Sequence, residues 1–407
     1  MQTLFKYARS LVQKRPLTPL QFPATGFQLI NDHEIIEEEQ FEEFKAGRYY
    51  PVNIGDIFHT RYQVVGKLGF GLTSTVWLAR DLVGHDFKTL KIYTRGGVDQ
   101  EEFNIYQIIN KTNRFHPGYS HVRTALDVFT IPRLGGDHKC LVQKPMWDSF
   151  KDLLNRNPTH RFTEDLLRVG LTQIFLGLSY LHSECKIVHT DIKADNILVE
   201  IADKSLLDSF TQAELDHPSP RKFVQEKPVY QSRKFERPKR FGRTVLSDFG
   251  SAVRGDEIQK HDAQPNVYRC PEVMLKTEWS YPADVWNVGA MIWDIFEDKH
   301  LFYGNDPDGS GYKTRAHLAE VVAVLGPPPL DLLKRGARSG EFFDTDGHWK
   351  AGVPIPKNLT LENSSNSLDG ERKAAFLRFV RGLLQWRPED RKTAEQLLDD
   401  PWLDYKH

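Results

Sequence analysis

Cysteine is scarce in this chain. Its 407 residues hold only 3, Cys140, Cys185 and Cys270. They are too few and too scattered for a disulfide framework or a cysteine metal site, and a reducing intracellular compartment suits them best. Long apolar runs are missing too, with none reaching the about 18 residues of a membrane-spanning helix. Excess charge of one sign is absent, since 54 Lys and Arg face 55 Asp and Glu. That excludes bulk attraction to nucleic acid or membrane and leaves electrostatic specificity to local sites. Neither an internal repeat nor an extended low-complexity tract occurs. What remains is a globular mixture, 40% hydrophobic and 12% aromatic, long enough for two or three domains or one bilobal one. Nothing demands an oligomer, so a monomer is expected.

Residues 1–49 read as an N-terminal extension. Lys6, Arg9, Lys14 and Arg15 precede the first acidic residue, Asp32, which fits either a frayed basic arm or a mitochondrial presequence. The acidic stretch Glu34–Glu43, broken by Ile35, Ile36 and Phe41, predicts a short surface helix. From Arg61 to Ile92 apolar residues alternate in strand fashion, and residues 126–142 predict strands around a Gly135-Gly136 turn. Glu101–Ile109 predicts one helix among these strands. Beyond Trp147 the period becomes helical, with Leu167, Leu171, Ile174, Phe175, Leu178 and Leu181 on one face. Further helices are expected at 283–296, 318–325, 374–384 and 394–398. A β-rich half, 50–144, therefore precedes a helical half, 145–407.

Leu68-Gly69-Phe70-Gly71-Leu72-Thr73-Ser74-Thr75-Val76 is a glycine loop between two predicted strands. Such a loop brings backbone N–H groups close to anionic oxygens, although a plain hairpin turn has the same composition. No helix follows, so a dinucleotide-binding reading fails. Lys91, on the next strand, lies at the right separation to reach phosphates, and Glu102 on the following helix is a suitable partner. His189-Thr190-Asp191-Ile192-Lys193-Ala194-Asp195-Asn196 is the strongest motif. Asp191 can accept a hydroxyl proton, Lys193 can neutralise a transferring phosphoryl group, and Asn196 offers a hard oxygen to Mg²⁺. Asp248, in Asp248-Phe249-Gly250, offers a carboxylate to the same ion. Later in the chain, Glu272 and Arg391 suit a buried pair, and Asp284 suits a carboxylate that accepts backbone N–H bonds from the Asp191 loop.

These motifs, in this order, resemble a eukaryotic protein kinase over roughly residues 50–405. The stretches 50–56, 61–64, 67–69, 74–79 and 189–193 are similar to serine/arginine-rich splicing-factor kinases. Asp248-Phe249-Gly250-Ser251 and Asn287-Val288-Gly289 are similar to a divergent filamentous-fungal branch of them. The resemblance implies an α+β bilobal fold, a β-rich N-lobe over 50–144 and a helical C-lobe over 145–407. It implies ATP- and Mg²⁺-dependent phosphorylation of serine or threonine, with Arg-Ser-rich splicing factors as partners and cytoplasm and nucleus as compartments. ATP is expected on Leu68, Gly69, Phe70, Gly71, Ser74, Val76, Lys91 and Glu102, with a hinge at Gln143, Lys144 and Met146 and an apolar wall at Leu198. Asp191 and Lys193 are the expected catalytic pair, Asn196 and Asp248 the metal ligands.

Some features depart from the common pattern. Thr190 replaces the usual arginine, and 248–272 contains no threonine, so constitutive activity is expected without loop phosphorylation. An insertion at 200–244, acidic then basic, is expected as a surface loop of the C-lobe. Positions matching the family's acidic docking groove are Lys299, Ala316 and Ala323, none of them acidic, which argues against strong docking of arginine tracts. A pseudokinase scaffold and a small-molecule phosphotransferase are the alternatives. The intact Lys91, Asp191, Asn196 and Asp248 speak against the first, and Pro271-Glu272 against the second.

Overall fold

The computed structural model describes residues 15–97 and 100–404. The presequence reading of residues 1–15 therefore falls almost wholly outside them. In chain order the strands are β1 Ile57–Phe58, β2 Tyr62–Gly71, β3 Ser74–Asp81, β4 Asp86–Tyr93, β5 Asp127–Ile131, β6 His138–Gln143, β7 Met146–Ser149, β8 Ile187–Val188, β9 Ile197–Ile201, β10 Arg221–Val224, β11 Lys227–Tyr230, β12 Phe241–Leu246 and β13 Val253–Arg254. The principal helices are α1 Glu42–Lys45, α2 Gln100–Lys111, α3 Phe150–Arg156, α4 Glu164–Ser179, α5 Ser205–Asp216, α6 Pro271–Leu275, α7 Pro282–Phe296 and α8 Thr314–Leu325. Two compact units result. One comprises residues 1–98, 126–145 and 203–237, the other 99–125, 146–202 and 238–407.

The first unit is built on an antiparallel sheet of order β1-β2-β3-β4-β6-β5. Alternation of apolar residues buries Tyr62, Val64, Trp77, Ala79, Leu90, Ile92, Cys140 and Val142 in one cluster. β5 and β6 join through Gly135 and Gly136, whose left-handed φ of +91° and +130° only glycine adopts without strain. The insertion belongs to this unit rather than to the helical one, and it is ordered. Tyr230, at the end of β11, completes the sheet's core, edge-on to Trp77 with ring centroids 5.7 Å apart. Phe210 of α5 lies so close to β2 that a Cβ on Gly66 would come within 2.8 Å of its ring. The apolar residues Leu206, Leu207 and Phe210 at helical spacing outweigh the charges that suggest a loop.

The second unit is helical around α4 and α7. Thr163 caps α4 by accepting the Leu166 N–H, and the expected stripe Leu167, Leu171, Ile174, Phe175 and Leu178 is buried. α7 is buried on nearly every side, as befits a central core helix. Gly289 admits Leu384 to its surface, since a Cβ there would sit 2.7 Å from the leucine. A small sheet, β12-β9-β7, and the pair β13-β8 complete this unit. α2 falls here, so the division at residue 145 fails for 99–125 as it does for 203–237. All three cysteines are buried and free.

Candidate active site

In the first unit, β2 and β3 form a tight hairpin in which Gly71 pairs with Ser74 across Leu72-Thr73. Ser74 is buried at the start of β3, so it closes the turn rather than lining its tip. Neither Gly69 nor Gly71 has a left-handed φ, and a Cβ on either would meet nothing within 4 Å. What these glycines leave is bare, accessible backbone, the property an anion-binding loop needs. Gly69, Val76, Lys91 and Leu141 lie opposite one another across β2, β3, β4 and β6. Directly paired residues share a face, so Lys91 projects on the side of Val76 and the loop. Its ammonium lies 4.9 Å from the Tyr93 ring centre. Leu68 is half-buried beside Gly69, and Phe70 is exposed at the rim of the hairpin. Gln143 ends β6 buried, whereas the next residue, Lys144, is exposed.

In the second unit, the loop between β8 and β9 gathers the expected chemistry. Lys193 Nζ donates to both oxygens of Asp191, at 3.1 and 2.9 Å. Asn196 Nδ2 donates to the Asp191 carbonyl at 2.9 Å and to its Oδ2 at 2.7 Å. Asp191 is thus oriented from two sides, and Asn196 turns Nδ2 rather than Oδ1 toward it. Beneath the loop, Asp284 of α7 is fully buried and accepts the N–H groups of His189 and Thr190, each at 2.8 Å. His182 Nε2 lies 2.8 Å from the same carboxylate. A buried carboxylate with such partners is a rigid anchor.

Asp248 follows β12 with φ +66°, a strained conformation for a non-glycine residue. Two links fix it to the Asp191 loop. Ser247 donates from its N–H and its hydroxyl to the Asn196 carbonyl, at 2.9 and 3.0 Å. The neighbouring Phe249 is buried against Tyr106 and His189. Glu102, buried on α2, faces this turn, since a Cβ on Gly250 would sit 3.6 Å from its Oε2. Met146 and Leu198 lie on paired strands β7 and β9, Met146 buried and Leu198 half-buried. The oxygen donors Asn196 and Asp248 fit Mg²⁺, which favours carboxylate and amide oxygens.

A polar cavity of about 360 Å³ opens beside Asp191, lined by Thr190, Ser251, His261, Gln264 and Arg269. The segment forming it is held by hydrogen bonds to backbone groups. Gln264 donates to the Ala283 carbonyl and accepts the Cys270 N–H, both at 2.9 Å. Arg269 donates to the Ala263 and Gln264 carbonyls at 3.1 and 3.0 Å, and Trp279 Nε1 donates to the His261 carbonyl at 3.0 Å. Glu272 and Arg391 form the expected pair, bidentate at 2.6 and 2.7 Å and wholly buried.

Sequence reasoning missed two things. Lys67 is fully buried and paired with Glu38, although the acidic stretch around Glu38 reads as a solvated helix. Ile36, Phe41 and Phe44 within that stretch were the available signal. Near the docking positions, Ala316 is buried, and Arg315 is neutralised by Asp306 and Asp308, carboxylates the position-by-position reading passed over.

The chain is 42% identical to a serine/threonine protein kinase of Aspergillus fumigatus, with 95% of each chain covered. It is 27% identical to serine/threonine-protein kinase SRPK of Physarum polycephalum, covering 90% of this chain and 91% of that one. To human SRSF protein kinase 3 the identity is 23%, with 90% of each covered. Residues 62–403 match the protein kinase domain. The chain therefore belongs to the protein kinase family, as a serine/threonine protein kinase related to the SRPK kinases.

Proposed function

We propose that the chain transfers the γ-phosphoryl group of ATP to serine in arginine-rich protein segments and does so without prior phosphorylation of its own 248–272 segment. The observation that carries the first part is the Asp191 carboxylate, oriented by Lys193 and Asn196 at 2.7–3.1 Å and anchored through Asp284. In this reading Asp191 accepts the hydroxyl proton of the acceptor, and Lys193 balances charge on the transferring group. Asn196 and Asp248 hold Mg²⁺, which would neutralise phosphate charge when bound. The glycine loop and Lys91 hold the phosphates, and the backbone at Lys144 with Val76 takes the base. Arg-Ser acceptors rest on the relatives' names, SRPK and SRSF protein kinase.

Constitutive activity rests on Thr190, which stands where many kinases carry an arginine, and on the hydrogen bonds of Gln264, Arg269 and Trp279, which hold the segment without a phosphate. The test is ³³P transfer from Mg·ATP to an Arg-Ser repeat peptide and to a matched peptide with arginine replaced. Asp191→Asn serves as the blank, with kcat expected to fall about 10²- to 10⁴-fold. Labelling of the Arg-Ser peptide that survives phosphatase treatment of the enzyme is expected. Labelling of the arginine-free peptide alone would discard the specificity, and a large loss after phosphatase would discard constitutive activity.

A further inference from the structure

The segment before β1 touches the glycine loop itself. The Tyr49 hydroxyl donates its proton between two acceptors, the Gly71 carbonyl at 2.6 Å and the Leu72 carbonyl at 2.8 Å. The Phe41 and Phe70 rings pack with centroids 6.1 Å apart. The segment is in turn tied to the rest of its unit at several points. Glu38 and Glu37 hold Lys67, the residue before Leu68, and Lys67 also donates to the Tyr230 carbonyl at 3.0 Å. Glu37 accepts the N–H and hydroxyl of Ser232, and Glu39 lies 3.0 Å from Lys222 Nζ. Arg133 and Arg95 donate to the carbonyls of Tyr49 and Gly47, each at 2.9 Å.

A planar trans peptide points its C=O and N–H in opposite directions. Drawing the Gly71 and Leu72 carbonyls toward Tyr49 therefore turns the N–H groups of Leu72 and Thr73 the other way. We propose that residues 36–50 brace the glycine loop and that Tyr49 is the positioning residue, aiming these two N–H groups at the phosphates of the nucleotide. This rests on the reading of the loop as the nucleotide-binding hairpin. Burial, with Glu38 and Glu43 nearby, raises the Tyr49 phenol well above its ordinary range, so it remains a donor at physiological pH.

Tyr49→Phe in the full chain keeps the ring and removes the donor. KM for ATP is expected to rise about three- to tenfold, the scale of one hydrogen bond, while KM for the acceptor peptide is unchanged. Amide exchange at residues 69–73 of the nucleotide-free protein should quicken. Phe41→Ala, which loosens the loop at Phe70, should shift KM for ATP in the same direction. An unchanged KM for ATP in Tyr49→Phe beside a normally active wild type overturns the brace, whatever happens to the melting temperature. A wild type with no saturable use of ATP would bring down the nucleotide reading and the proposal with it.

Discussion

Thr190 holds φ at +66°, a region that β-branched residues rarely enter. Three contacts hold it there. Its N–H donates to Asp284, its hydroxyl donates to the Ser251 carbonyl at 2.8 Å, and its side chain is buried. The hydroxyl bond ties the Asp191 loop to the segment after Asp248, where many kinases use an arginine and a phosphate. Thr190→Val preserves shape and leaves the Ser251 carbonyl without this donor. A loss of about 1 kcal/mol is expected, read as a lower denaturant midpoint at unchanged m-value, with kcat falling more than KM for ATP. At this scale the sequence made local neighbours legible. Asp191, Lys193 and Asn196 meet through their side chains, because the loop that carries them is short and its spacing nearly fixes its geometry. Lys67 was illegible, since a buried lysine is recognisable only through partners that the fold supplies from residues 37–38 and 230.

Among the elements, α6 and α7 depend on ion pairs and hydrogen bonds more than their apolar composition suggests. Arg391 is wholly buried and bidentate to Glu272 of α6, and it also donates to the Pro282 carbonyl at 3.0 Å. Arg391→Ala strands a buried carboxylate and should destabilise the protein by about 3–5 kcal/mol in chemical denaturation. Arg391→Lys should recover little of it, because an ammonium cannot reproduce the paired geometry. The C-terminal part of α7 carries a pH-sensitive contact. Asp294 accepts from Tyr268 and lies 2.6 Å from His300 Nδ1. That hydrogen bond raises the His300 pKa above 6.5, against burial, which lowers it. Stabilisation from the protonated imidazole is thus complete below about pH 6.5 and lost as pH rises through the raised value. His300 is 39% exposed, which limits the effect to about 1 kcal/mol or less. Melting curves of wild type and His300→Gln should differ most near pH 6 and converge by pH 9. α4 and α7 were legible from helical periodicity. The short helix expected within 34–43 is present as a turn at 37–40, but the burial of Glu38 was not legible, because a run of glutamates looks solvated until its lysine partners are known.

Across the whole molecule, sequence position and structural membership part company. Residues 203–237 interrupt the helical half in sequence, yet they complete the core of the sheet unit. A linear reading assigns an insertion to its flanks, whereas packing follows the apolar side chains, here Phe210, Val229, Tyr230 and Phe235. Tyr230→Ala should therefore cost about 3 kcal/mol or more and speed hydrogen exchange in β2–β4 rather than in α4 or α7.

The burial of Cys140, Cys185 and Cys270 also matters for chemistry in solution. Burial raises each thiol above its ordinary pKa, so little thiolate forms at neutral pH. The folded native chain should take up almost no maleimide, and its labelling rate should instead follow global unfolding. A dye attached through Leu72→Cys, at a position 52% exposed on the hairpin, would then be the sole label and would report movement of the glycine loop alone.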